Sequence, residues 1–121
     1  MGAGIDPEFV SELFAAFGPV AVRRMFSGGG VFCEGLMIAL IVNGVIHLKA
    51  DERTIADFRA EGLGAYKTKG GRTPNSYWRM PERLYDDLDE LAVWARRSLE
   101  AARRKKVPSP AKRGRPKPKR K

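Results

Sequence analysis

Cysteine and histidine are almost missing from this 121-residue chain, which holds one of each, Cys33 and His47. One cysteine excludes an internal disulfide and a Cys-cluster zinc site, and one histidine leaves a His-based metal site nothing to pair with. No metal or other cofactor is therefore expected. Long apolar runs are missing too. The longest, 36–42, falls far short of the roughly 18 residues that cross a bilayer, and reads as a strand buried on both faces or nearly so. No positively charged stretch precedes an apolar one at the start, so no signal peptide is expected, and a cytoplasmic, nucleoid-associated location follows.

The most informative absence is that of acidic residues after Glu100. From Arg103 to Lys121 there are eleven Lys or Arg and no carboxylate, although the whole chain is only +9. Residues 1–102 carry 12 basic against 14 acidic groups, so the cationic character belongs to one end and not to the body. Such an end attracts polyanions over about 8–10 Å at cell-like salt, and nucleic acid is the commonest soluble polyanion. Residues 107–121 contain four Pro, one Gly and no large apolar side chain after Val107, too little apolar surface to offset ordering entropy. The expected organisation is a folded domain at 1–104 and a disordered basic tail at 105–121. A body of about 100 residues with 43% hydrophobic content over the chain can bury a core of its own.

Local signals order the body. Asp6 caps a helix over 7–17, with Pro7 in its first turn and Phe9, Leu13, Phe14 and Phe17 on one face. Residues 20–25 alternate as a strand. Ser27, Gly28, Gly29 and Gly30 read as a turn, 31–33 as a short strand, and Glu34 with Gly35 as a second tight turn. Residues 36–42 follow as a strand, and Asn43-Gly44 is a strong hairpin signal leading into 45–49. A helix is expected from Asp51 to about Glu61, strands at 65–69 and 76–80 around Gly70 and Gly71, and a long helix over 81–104. Leu84, Leu88, Leu91, Ala95 and Leu99 form its apolar stripe with Trp94 beside them. The predicted fold is α+β and two-layered, an antiparallel sheet of five or six strands with flanking helices in the order α-β-meander-α-β-β-α.

The stretch Arg24, Met25, Phe26, Ser27, Gly28, Gly29, Gly30, Val31, Phe32, then Gly35, Leu36, Met37, Ile38, Ala39, then His47, Leu48, Lys49, Ala50, Asp51, Glu52 resembles the N-terminal domain of the TfoX/Sxy family. Phe58, Gly62, Ser76-Tyr77-Trp78, Met80-Pro81 and 91–95 resemble its second half, so the likeness covers roughly 8–102. The resemblance implies a secretion-chaperone-like strand order, no reaction, and a regulatory role in competence exercised with a transcription factor. The chain departs from the family pattern at Ser27, usually Gly, and at His47, usually Tyr. A basic tail also stands where the two-domain regulators carry a second helical domain.

Within that tail, Arg113-Gly114-Arg115-Pro116, flanked by Lys112 and Lys117, resembles an AT-hook core. Gly114 lets the backbone lie on the floor of a narrow groove, and the two arginines point along the negative A·T minor groove. Pro116 keeps the chain extended, and Lys117, Lys119, Arg120 and Lys121 can reach phosphates. The alternative is a generic polybasic tail. Arg23, Arg24, Lys67, Lys69, Arg72 and Arg79 interleave with Tyr66, Tyr77 and Trp78, which reads as a solvated strand face with core aromatics in preference to a stacking surface. Ser27–Gly30 and 69–72 lack the Lys and hydroxyl of a phosphate loop and read as turns. Cys33 and His47 have neither an orienting third group nor an oxyanion site, so no enzyme is expected. The sequence points to a non-enzymatic, DNA-associated regulator with a transcription factor or other protein as partner, a homodimer as a further arrangement, and no membrane. The alternative is a protein-binding or chaperone-like module with a nonspecific tail.

Overall fold

The structure is a computed structural model, and it describes residues 6–25, 28–66 and 76–106. The chain begins with α1 (Pro7–Leu13). Asp6 caps it as the sequence suggests, its Oδ1 accepting from the Glu8 N–H at 3.1 Å. The helix is shorter than the predicted 7–17. After Leu13 the chain tightens, with Ala15 N–H donating to Glu12 O and Phe17 N–H to Phe14 O, a winding that sets Phe14 fully into the core.

Five strands follow: β1 (Ala21–Met25), β2 (Gly28–Cys33), β3 (Leu36–Val42), β4 (Val45–Lys49) and, after an intervening helix, β5 (Tyr77–Arg79). They form one antiparallel sheet in sequence order, so each strand pairs with its chain neighbour. The β2–β3 and β3–β4 turns need positive φ at both central residues. Glu34 and Gly35 adopt 57° and 79°, and Asn43 and Gly44 adopt 52° and 77°.

Three expectations are corrected here. Gly28, Gly29 and Gly30 are not a turn but the first half of β2, paired on both sides with β1 and β3. Cross-strand pairing overrides the poor strand propensity of glycine, and Gly28 is needed there, because a Cβ at that position would lie 1.8 Å from the Ile41 carbonyl oxygen. The helix expected from Asp51 starts later, as α2 (Ile55–Ala60). Asp51 instead opens a single turn. Its N–H donates to Thr54 Oγ1, and its own carboxylate accepts from Arg53 N–H, both at 3.0 Å. The long final helix is likewise split. Glu82–Asp86 is a 3-10 turn, and Asp87 then caps α3 (Leu88–Lys106) by accepting from Glu90 N–H at 3.1 Å. Because α3 runs through Lys106, Lys105 and Lys106 continue the helix past the boundary expected at 104. Of the strand expected at 65–69, Ala65 forms an isolated bridge to Trp78, and 67–69 lie outside the described residues.

The core lies on one side of the sheet. Leu91, Ala95 and Leu99 of α3 and Phe14, which follows α1, pack with Val31, Ile38, Ala39, Ile41, Ile46 and Leu48. A bulge explains the uneven spacing of the buried β3 residues. Val31 pairs with Ala39 but Phe32 with Met37, leaving Ile38 as the extra residue, and both Ile38 and Ala39 are fully buried. Among the described residues the helices cover β3 on one face only, while its outer-face side chains are half-buried, so no β3 residue is exposed and the expected burial on both faces or nearly so is approached. Met37, Leu40 and Val42 are half-buried on the outer face and take no part in the core.

Candidate functional site

Two regions hold the side chains that sequence reasoning singled out: the C-terminal end of α3 and the outer face of the sheet. At the end of α3, Arg103 Nε donates to Glu34 Oε1 at 3.0 Å, and Arg104 Nε donates to Asp51 Oδ2 at 2.6 Å. Arg103 holds the Glu34 carboxyl below its ordinary value, and Arg104 does the same to Asp51. Two of the eleven cations counted toward the tail thus belong to the body, where they fasten α3 to the β2–β3 turn and to the turn after β4. With those two included, residues 1–104 hold 14 basic and 14 acidic groups, and the whole formal charge of +9 resides in 105–121. The predicted DNA-contacting residues, Lys112, Arg113, Gly114, Arg115, Pro116, Lys117, Lys119, Arg120 and Lys121, lie outside the described residues.

On the outer sheet face the structure brings together some of the basic and aromatic residues and separates others. Arg23 lies over the Phe32 ring, its guanidinium carbon 5.0 Å from the centroid, and the Lys49 ammonium sits 4.9 Å from the centroid of Tyr77. His47 pairs in register with Arg79 and meets Tyr66 edge-on at 5.3 Å. Trp78 points the other way into the core and is 5% exposed, with Arg59 over its ring. Only Trp78 of these aromatics is a core residue. Tyr66 and Tyr77 are not, which revises the expectation of core aromatics. Lys67, Lys69 and Arg72 lie outside the described residues.

Electrostatics on this face reflect burial. Lys49 is 8% exposed, and desolvation first, then the nearby charge of Lys105, pushes its pKa down. Burial likewise lowers the pKa of His47, against the pull of the Leu40 and Val45 carbonyls, and raises that of the Tyr77 phenol. His47 Nδ1 is buried with no hydrogen-bond partner of normal geometry.

Cys33 and His47 do not meet. Cys33 packs against the core side of β2, whereas His47 shares the outer face with Leu40 and Arg79. The larger surface depression, about 520 Å³, is lined by Glu61, Arg79, Glu82 and Arg83 among others, and a second of about 320 Å³ by Arg23, Phe32 and Cys33 among others. Neither reaches His47 or Tyr77. In the first, the charged groups are already matched, Arg83 to Glu61 at 2.6 Å and to Glu90 at 2.7 Å, and Arg79 to Glu82 at 3.3 Å. Among the described residues no group of three His, Cys, Asp or Glu is placed to hold a metal ion, and no helix is long and apolar enough to cross a membrane.

An antiparallel sheet with flanking helices is what the resemblance implies and what the structure has, and the family model for the TfoX N-terminal domain matches residues 12–102. The chain belongs to the TfoX N-terminal domain family. That is a competence-related regulatory family and not a family of catalysts. The match begins at the end of α1 and ends at Ala102, within α3, so it takes in the sheet, α2 and most of α3, while the cationic segment follows it. No curated protein matches the chain. Sequence reasoning missed the outer face as a unit, because the bulge at Ile38 has no local signature. The paired glycines of β2 beside an apolar β3 were the available hint.

Proposed function

We propose that this protein is a non-enzymatic, DNA-associated regulator. Its TfoX domain is a platform for a protein partner, and its basic C-terminal segment binds DNA. The observation that carries the reading is the segregation of charge. A body with equal numbers of acids and bases is joined to a segment holding the entire +9. Two arginines at the junction are held by Glu34 and Asp51, which fixes the point from which that segment leaves the domain. Within the segment, Arg113-Gly114-Arg115-Pro116 fits the A·T minor groove, while Lys117, Lys119, Arg120 and Lys121 reach phosphates.

The test is a binding titration of the full chain and of a chain lacking 107–121, on A·T and G·C duplexes. If about six cations meet phosphates, log K should fall with log salt at a slope of about −5. Deletion of 107–121 should abolish binding, and Arg113→Ala with Arg115→Ala should remove the A·T preference while leaving weaker general binding. Unchanged affinity after the deletion would sink the reading. The second reading, a protein-binding module with a nonspecific polybasic segment, is favoured by the half-buried apolar side chains on the outer face of β3, which lie outside the core cluster. Equal losses on A·T and G·C duplexes in the double-alanine variant would select it.

A further inference from the structure

We propose that the outer face of the sheet is the docking surface for an acidic amphipathic helix of a partner protein. The proposal rests on the reading of the domain as a platform, and it supplies the surface and the chemistry of the partner.

Pairing register places Leu40, Val42 and Val45 on the face opposite the core, and the bulge at Ile38 turns Met37 to the same side. None of the four belongs to the hydrophobic cluster that the helices cover. On β2 the neighbours of Leu40 and Val42 are Gly30 and Gly28. An aliphatic ridge on β3 therefore runs beside a strip without side chains, a shallow trough along the sheet. Strands lie about 4.8 Å apart, so β1 and β5 are about 19 Å from each other. A helix about 10–12 Å wide seats over β2, β3 and β4 and leaves both outer strands on its flanks.

Charge selects the occupant. The flanks carry Arg23 on β1 and Arg79 on β5, with Lys49 at the end of β4, and none of the five strands contains Asp or Glu. Arg79 does meet Glu82, but that pair is exposed, 49% and 79%, and its carboxylate is exchangeable for one from a partner. One polar atom on this face, His47 Nδ1, is buried without a hydrogen bond of normal geometry among the described residues, and the Lys49 ammonium sits against the Tyr77 ring. A second copy of this chain fits poorly, because its own face would bring the same three cations and no acid. A single-stranded nucleic acid also fits poorly. Stacking needs bare rings, whereas the Phe32 and Tyr77 rings already carry Arg23 and Lys49, and the centre of the face is aliphatic.

The test uses the full chain and a fluorescein-labelled designed peptide of about 18 residues, about 27 Å as a helix. Leu occupies one helical stripe of the peptide, and Glu lies on both flanks. A scrambled peptide of equal composition controls for attraction to the basic segment. The designed peptide should bind at least about tenfold more tightly than the scramble. Leu40→Asp with Val42→Asp should erase that difference, whereas Phe9→Asp, an exposed site on α1, should preserve it. In the unmutated chain, methyl signals of Met37, Leu40, Val42 and Val45 should shift on titration while those of Ile41 and Leu48 stay in place. This readout stands even if the double variant unfolds. Equal binding of the two peptides, no binding of either, or shifts confined to the core methyls would overturn the proposal. So would a full-chain dimer that Leu40→Asp dissociates, or a dT oligonucleotide that displaces the peptide from the methyls. Duplex binding through 107–121, measured on the same variants, should not change, so a failed DNA reading is seen separately from a failed docking face.

Discussion

Phe58 is the residue whose loss should be felt most widely. It is 2% exposed and is the buried residue of α2. Its ring meets Trp94 of α3 edge-on at 5.0 Å and 81°, and Trp78 of β5 at 6.1 Å and 40°. A six-residue helix has no stability of its own, so α2 stays formed only while Phe58 is inserted between those indoles. Truncating a buried Phe to Ala costs about 3–5 kcal/mol, and aromatic pairs contribute about 0.5–1.5 kcal/mol each within a loss of that kind. Phe58→Ala is therefore expected to destabilise by about 4 kcal/mol, against about 5–15 kcal/mol for a body of this size. Urea unfolding followed by tryptophan fluorescence measures it directly, because both tryptophans of the chain touch the substituted ring. With a slope near 2 kcal/mol per molar, the midpoint should fall by about 2 M. Phe58→Leu should cost much less. A loss below about 1 kcal/mol for Phe58→Ala would refute the placement of α2 and the wedge role of its ring.

Gly28→Ala should destabilise by about 2–3 kcal/mol, since its Cβ meets the Ile41 backbone carbonyl at 1.8 Å and neither strand can yield freely. Gly44→Ala, with φ of +77° but open space around it, should cost about 1–2 kcal/mol through backbone strain alone, and thermal melting ranks the two. His47 has its folded pKa depressed below 6.5 by burial, so its contribution is complete above pH 6.5 and declines as pH falls through the lower folded value. The urea midpoint should drop over that window and flatten in His47→Phe, with the ring titration followed by NMR on the chain's single histidine. Glu90 is pushed down to about 2 by Arg83 and then by the Trp94 indole N–H, so its support is present above about pH 4.5 and vanishes as pH falls toward 2. Glu90→Gln should flatten the acid limb, and a limb unchanged in shape would show that the Arg83 network does not operate in solution.

Short-range chemistry was legible from residues alone. Asp6 announced a cap, Asn43-Gly44 and Glu34-Gly35 announced hairpins, and Leu91, Ala95 and Leu99 announced the buried stripe of α3. Each involves groups a few positions apart, so its energy is set before any distant partner is chosen. The export of charge to 105–121 is equally a property of composition. The tertiary structure decided the rest. Glycines at 28–30 became strand because β1 and β3 supply hydrogen bonds that no local preference contains. Ile38 became a bulge because Val31 had to face Ala39, which gave an apparently two-sided strand one core face and one half-buried outer face. Arg103 and Arg104 joined the body because folding carried Glu34 and Asp51, 69 and 53 residues away, to the end of α3. A pairing over that separation depends on where the whole chain goes, and only the assembled sheet with its helix laid across it determines that.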